Sequence, residues 1–210
     1  AAGFSIVSYT GTGAAGTVAH GLGAAPEWIF IKNRDVADAW AVYYGDNTDY
    51  LVLNTNAATA DAATYFNDTS PSATVFTVNT AHSVNADGEK YIAYCWRSID
   101  GFSKIGAYTG NGAVDGTFVH TGFRPAWIMI KRVDIGDAWA ILDNKRNDIN
   151  PADDVIKAED PAAEAANQYA KTDFLSNGFK LRALGSTVNN SSSGDNYIYL
   201  AFAETPFKNS

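Results

Sequence analysis

The feature that most constrains this chain is an internal repeat. The stretch GFSIVSYTG at residues 3–11 returns as GFSKIGAYTG at residues 101–110. The correspondence continues in order. Gly16-Thr17 and His20 match Gly116-Thr117 and His120, and Pro26, Trp28 and Lys32 match Pro125, Trp127 and Lys131. Asp38-Ala39-Trp40-Ala41 matches Asp137-Ala138-Trp139-Ala140, and Gly88 with Tyr91-Ile92 matches Gly194 with Tyr197-Ile198. Matches that keep their order, at a spacing that drifts by only a few residues, mark one design used twice. This predicts two domains, residues 1–100 and 101–210.

The shared units read as β. EWIFIKN and AWIMIKR, and likewise KYIAYCW and NYIYLAF, are runs of β-branched and aromatic residues. They are apolar at consecutive positions rather than alternating, which predicts strands buried on both faces. AWAVYY with AWAILD, and TVFTVN (74–79) with GFKLRAL (178–184), make further pairs. Gly, Asn, Asp, Ser and Thr clusters between them supply turn geometry, and Asn111-Gly112 has the form of a two-residue hairpin. The expected fold is all-β, with two tandem related β-sandwich units of jelly-roll-like type. One segment breaks the symmetry. Over 150–171, Asp160 has the form of an N-cap, Pro161 of a first helical residue, and an Ala/Glu/Gln run follows. One short helix is therefore expected in the second unit.

Charge and composition exclude several classes. With 15 basic against 23 acidic residues the net charge is −8, which argues against nucleic acid as the main partner. No apolar run is long enough for a membrane-spanning helix, so no membrane insertion is expected. The start at Ala1 lacks a basic segment followed by an apolar one, so no signal peptide is expected. Cys95 is the single cysteine, and it lies inside an apolar strand pattern, which reads as packing.

No catalytic constellation stands out. HExxH, GxSxG, GxxxxGK[ST] and paired-cysteine patterns are missing. His20 and His120 hold matching places in the repeat and read as scaffold histidines that bond a turn. Asp153-Asp154 with Glu159-Asp160 offer carboxylates but lack the spacing of a calcium loop, and read as a solvated acidic turn. Asp38 and Asp137 precede Trp40 and Trp139 in both repeats. An aromatic face beside an acidic acceptor is half of a sugar site, but equal places in a repeat favour a turn cap and a core tryptophan. No catalytic residue, metal or cofactor is therefore expected. What is left is surface. Tyr43, Tyr44 and Tyr50 lie near Asp46 and Asn47, and Tyr65 lies near Asn67 and Asp68. Tyrosine with Asn and Asp on loops of a rigid scaffold is the usual material of a recognition surface. The loops 43–68 and 143–171, which the repeat does not share, are its expected seat.

The phrases GFSIVSYTGTGAAGTVAHGLGAAPEWIFIKNR, YIAYCW, GFSKIGAYTGNGAVDGTFVHTGFRPAWIMIKR and YIYLAFAETPF together resemble a repeated β-domain of tailed-bacteriophage virion structural proteins, of tail-fibre or adhesin type. The resemblance spans residues 3–208 and departs from its own pattern at His120-Thr121-Gly122-Phe123. It implies a non-enzymatic component on the surface of the virion, whose role is receptor or glycan recognition. It also implies other virion proteins as partners, a homo-oligomer with a trimer favoured, and a host surface glycan or envelope receptor as ligand. The rival roles are capsid decoration, head fibre or tail scaffold, and more remotely a glycan depolymerase.

Overall fold

A computed structural model describes residues 3–166, 169–189 and 194–206. The chain divides into two compact units, Ala1–Asn54 with Thr59–Arg97, and Thr55–Ala58 with Ser98–Ser210. The first unit contains β1 (Phe4–Thr10), β2 (Gly16–Ala19), β3 (Trp28–Asn33), β4 (Trp40–Tyr43), β5 (Asp49–Val52) and β6 (Ala60–Asp61). It continues with α1 (Ala63–Phe66), β7 (Val75–Val78), α2 (His82–Asn85) and β8 (Lys90–Trp96). The second contains β9 (Ser103–Thr109), β10 (Phe118–His120), β11 (Pro125–Arg132), β12 (Trp139–Asp143) and β13 (Asp154–Lys157). It ends with β14 (Ala165–Ala166), β15 (Thr172–Leu175), β16 (Gly178–Leu181) and β17 (Asn196–Ala203).

Both units are unequal antiparallel β-sandwiches of the same topology. In the first, a six-stranded sheet runs β1-β8-β3-β4-β5-β6 and faces the pair β2-β7. In the second, the order β9-β17-β11-β12-β13-β14 repeats it, facing β10-β16-β15. The sequence repeat is thus a repeat of strand order. Each core lies between the large and the small sheet. Ile29, Ile31, Ala93 and Cys95 meet Phe66, Phe76 and Val84 in one unit. Ile128, Ile130, Tyr199 and Ala201 meet Phe174, Phe179 and Val188 in the other. The consecutive apolar runs behave as expected: Trp28, Ile29, Phe30 and Ile31 are all buried, so β3 is covered on both faces.

One device recurs in both units and accounts for the conserved-looking signature. Tyr9 stacks on Tyr91 at 5.2 Å, and Tyr108 on Tyr197 at 5.0 Å. Tyr9 donates its hydroxyl to Val84 O, and Tyr91 to His82 O, both at 2.6 Å. Tyr108 donates to Val188 O and Tyr197 to Ser186 O, both at 2.7 Å. The four hydroxyls hold the short segment that precedes the last strand of each unit. That segment ends on a buried asparagine. Asn85 Oδ1 accepts from Thr12 N–H, while its Nδ2 donates to Ala14 O and Asn79 O. Asn189 repeats the set with Asn111 N–H, Ala113 O and Ala183 O. Gly11 of the YTG motif is required by space, since a Cβ there would stand 2.0 Å from Ala86 O. Lys32 and Lys131 donate to the carbonyls of Asp38 and Asp137, whose carboxylates cap the N–H groups of Ala39 and Ala138. Repeated Lys, Asp, Tyr and Gly are scaffold.

Three expectations are corrected. The helix expected after Asp160 is not formed, and both helices of the described residues lie in the first unit. Asp160 does cap, bonding Ala162 N–H in a turn. Ala165 and Ala166 then pair with Val155 and Asp154 as β14, and tertiary strand pairing overrides an alanine-rich propensity. Residues 167–168 of that expected helix lie outside the described residues. Asn111-Gly112 is not a hairpin turn, because it links β9 to β10 in the opposite sheet. Finally, His20 and His120 are not structural equivalents. Val18 faces Phe76 and Val119 faces Phe179, so the second repeat is shifted by one residue. His20-Gly21-Leu22 corresponds to Thr121-Gly122-Phe123, with His20 and Thr121 both buried and His120 exposed. A one-residue slip exchanges the two faces of a strand, and the buried phenylalanine decides the register.

Replacing Asn189 with alanine leaves Asn111 N–H, Ala113 O and Ala183 O without their partner inside the unit. A loss of about 2–4 kcal/mol is expected in urea denaturation, since a buried group left unsatisfied, here Ala183 O, costs about 1–3 kcal/mol and the two partly buried bonds add to it. Tyr108→Phe removes only the hydrogen bond to Val188 O and should cost less, about 1–2 kcal/mol.

Candidate functional site

Since the repeated residues build the scaffold, the place to look is where the two units differ. The largest difference flanks the small sheet. In the second unit β15 pairs with β16. In the first the corresponding neighbour of β7 is α1, followed by a left-handed turn at Asn67 (φ 55°) and Asp68 (φ 45°). Asparagine and aspartate tolerate this conformation through their short polar side chains. Phe66 and Phe174 plug the core from these two different elements.

The α1 turn and the β4–β5 hairpin meet at one end of the first unit. Asn47 Nδ2 donates to Asp68 O at 2.5 Å. Asp46 Oδ1 accepts from Thr48 N–H and its hydroxyl at 2.9 and 2.8 Å, closing the hairpin tip. Asn79 Nδ2 bonds Ala63 O and Asn67 Oδ1, fixing the end of α1. Tyr50 of β5 stacks on Tyr65 of α1 at 3.6 Å and 11° between planes. Tyr44 OH lies 2.7 Å from Thr59 Oγ1, which donates to Asp49 Oδ2 at 2.8 Å. Burial, opposed by the Thr59 hydrogen bond, leaves the Tyr44 phenol at about 12. Burial, then the Tyr50 hydroxyl, puts the Tyr65 phenol at about 12 as well. Both phenols are neutral donors near pH 7.

Of the eight residues expected here, seven stay accessible or half-buried. Asp46, Asn67 and Asp68 are exposed, and Tyr44, Asn47, Tyr50 and Tyr65 are half-buried. Tyr43 leaves the set. It is buried, packs edge-on against Phe66 at 5.4 Å, and belongs to the core. Its alternation along β4 points it inward. The second expected loop is occupied with itself. Arg146 bonds Asp143 at 2.6 Å, Glu164 at 3.0 Å and Ile141 O at 3.0 Å, and Asn147 Oδ1 accepts from the N–H groups of Asp153 and Asp154.

The reactive-looking residues resolve into structural roles. His20 is buried, with Nε2 3.1 Å from Ser72 O and Nδ1 accepting from Leu22 N–H. Cys95 is buried, and burial pushes its thiol up to about 12. Trp28 and Trp139 are fully buried, and Trp40 is half-buried against Tyr94. Among the described residues no three His, Cys, Asp or Glu side chains group to hold a metal.

Two features escaped the reading of the sequence. Ser83-Val84-Asn85 and Thr187-Val188-Asn189 are a further repeat pair, legible as S/T-V-N ahead of the DG and GD turns. Asp38 also gains a partner that its counterpart lacks. His82 Nδ1 lies 2.8 Å from Asp38 Oδ2 and His82 Nε2 lies 3.4 Å from Glu89 Oε1, whereas Ser186 stands at the equivalent place. Ser83 Oγ donates to the other Asp38 oxygen at 3.1 Å and not to His82. The trio is therefore a cap and not a nucleophile–base relay. The Asp38 hydrogen bond, then the Glu89 charge, raise the imidazole above its usual range. A raised folded value means that the stabilisation is present below the unfolded value near 6.5 and is lost as pH rises through the folded one. Proton NMR should find His82 titrating above that unfolded value, and Asp38→Asn should bring it back down; an unchanged midpoint would discard the pairing.

No curated protein and no solved structure matches this chain. A family model covers residues 1–206, both sandwich units together, and by that match the chain belongs to the DUF7483 family, a domain of unknown function.

Proposed function

We propose that the chain is a non-enzymatic structural component of a bacteriophage virion, and that its first unit is a surface-recognition module of tail-fibre or adhesin type. The observation that carries the recognition role is the tip built by the β4–β5 hairpin and α1. There Asp46, Asn47, Tyr50, Tyr65, Asn67 and Asp68 are brought together, with Tyr44 turned to Asp49 and Thr59 on the other face of the hairpin, on a scaffold whose tyrosine stack and buried asparagine the second unit repeats. The virion assignment rests on the resemblance of the repeated GFS, YTG and WIxIK phrases. Tyrosine presents a flat ring for the C–H face of a sugar, and Asp and Asn carry acceptors for its hydroxyl rim. Asn47 is held by Asp68 O, Asp46 by Thr48, Asn67 by Asn79 and Tyr65 by its stack on Tyr50, so little ordering remains to be done on binding. A single tip of this size binds weakly, and a symmetric assembly supplies avidity.

The protein should bind host cells or host envelope glycans in a pull-down and glycan array. The double variant Tyr65→Ala/Asp68→Ala should lose at least about tenfold in affinity while keeping its circular dichroism spectrum, as removal of an aromatic anchor does. Host polysaccharide incubated with the protein should keep its chain length. Tight binding to capsid or tail proteins with none to host cells would replace recognition by a scaffold role, and shortened polysaccharide would make the protein a depolymerase.

A further inference from the structure

The repeat itself marks where the second unit departs from its scaffold. Arg124 stands before Pro125 where Ala25 stands before Pro26. Asn144 lies five residues after Trp139, as Gly45 lies five after Trp40, and Glu204 lies seven after Tyr197, as Ser98 lies seven after Tyr91. Small residues of the first repeat are thus replaced by larger polar ones at places far apart in the chain, and the fold brings these together. Glu204 Oε1 accepts from Asn144 Nδ2 at 2.7 Å, and Glu204 Oε2 lies 3.3 Å from Arg124 Nε. Glu204 N–H also donates to Arg124 O at 2.9 Å.

The arrangement is built from the inside out. Asn144 is buried and gives its amide to Glu204, while its own Oδ1 finds no partner among the described residues. A buried acceptor left unpaired is destabilising, so this asparagine is held at a cost. What it does is fix one carboxylate, and that carboxylate orients the guanidinium. Arg124 is engaged through Nε alone. Its terminal nitrogens have no hydrogen-bond partner among the described residues, and its side chain is 44% exposed. Arg124 and Glu204 line a pocket of about 460 Å³ with Gly122, Phe123, Ser176 and Thr205. Phe123 supplies apolar surface, and Ser176 and Thr205 bring hydroxyls. The loop that carries Phe123 and Arg124 is already fixed. Thr121 and Gly122 N–H donate to Asn177 O at 3.0 and 3.2 Å, and Thr121 Oγ1 donates to Phe123 O at 2.6 Å. A preformed pocket with an apolar wall and a few fixed polar groups is the form that small-molecule sites take.

We propose that this pocket binds a carboxylate-bearing sugar of the hexuronate class, with its carboxylate on the free end of the Arg124 guanidinium. A planar fork of N–H donors matches a carboxylate through two parallel bonds. The lining holds one positive and one negative side chain, Arg124 and Glu204. That balance suits a single negative charge and disfavours a doubly charged phosphate. The C–H groups of the ring meet Phe123, and its hydroxyls meet Ser176 and Thr205. The site belongs to the second unit, and its readout does not depend on host-cell binding by the tip of the first.

Titration of the isotope-labelled protein with sodium glucuronate, followed by heteronuclear NMR, should shift the amides of Gly122, Phe123 and Ser176 and the Arg124 Nε–H signal to saturation. Glucose, with a hydroxymethyl group in place of the carboxylate, should bind at least about tenfold more weakly, because the guanidinium is then left unpaired. Arg124→Lys keeps the charge and loses the fork, and should weaken glucuronate binding at least about tenfold. Unmoved signals, equal shifts with glucose or with acetate, or a folded Arg124→Lys variant that binds as tightly as the unaltered protein would overturn the site. Should that variant not fold, the comparison of glucuronate with glucose and acetate decides.

Discussion

The stacked tyrosine pair is the interaction on which each sandwich depends. Its rings fill the junction of the large sheet with the small one, and Phe76 and Phe179 meet them edge-on at 6.2 and 6.1 Å. Its hydroxyls cannot enter a core without acceptors. They find them in the carbonyls of a short segment that would otherwise be an unanchored connection. Burial, then the neighbouring tyrosine, raises both Tyr9 and Tyr108, so the pair remains a pair of donors at any ordinary pH. The asparagine that this segment delivers then ties down the loop after the first strand. Aromatic packing and polar satisfaction are thus solved by the same residues, twice.

A scaffold held this way tolerates divergence elsewhere. Beside the small sheet the first unit carries a one-turn helix and a left-handed turn, and the second a β-strand, yet each sends one phenylalanine into the core. Connections elsewhere diverge in the same manner. Arg124, Asn144 and Glu204 of the second unit stand at the places of Ala25, Gly45 and Ser98 in the first repeat. Neither change touches the tyrosine clamp, which is why two units of equal topology can carry different surfaces.

Much of the fold was legible along the chain. Runs such as WIFIKN and YIYLAF announce strands buried on both faces, and the ordered matches announce two copies of one unit. The candidate surface was legible as composition, since Tyr44, Asp46, Asn47, Tyr50, Tyr65, Asn67 and Asp68 cluster in two short segments. That Asn47 reaches Asp68 and that Tyr50 stacks on Tyr65 was not. Tyr43 shows the limit: a tyrosine beside accessible ones is assigned inward by strand alternation, which composition does not register. The helix at Asp160 failed for a related reason. Its cap and alanine run are genuine local preferences, and they lose to a strand partner in β13.

By itself, the sequence determined the class of the repeated apolar strands, the duplication and the absence of charge along β1, because side-chain type and periodicity are local properties. The tertiary structure alone decided the register of β10 and the role of His20 against His120. Those depend on partners distant in the chain. Tyr9 finds its acceptor 75 residues away and Asn189 its donor 78 residues away, at separations that no local pattern encodes.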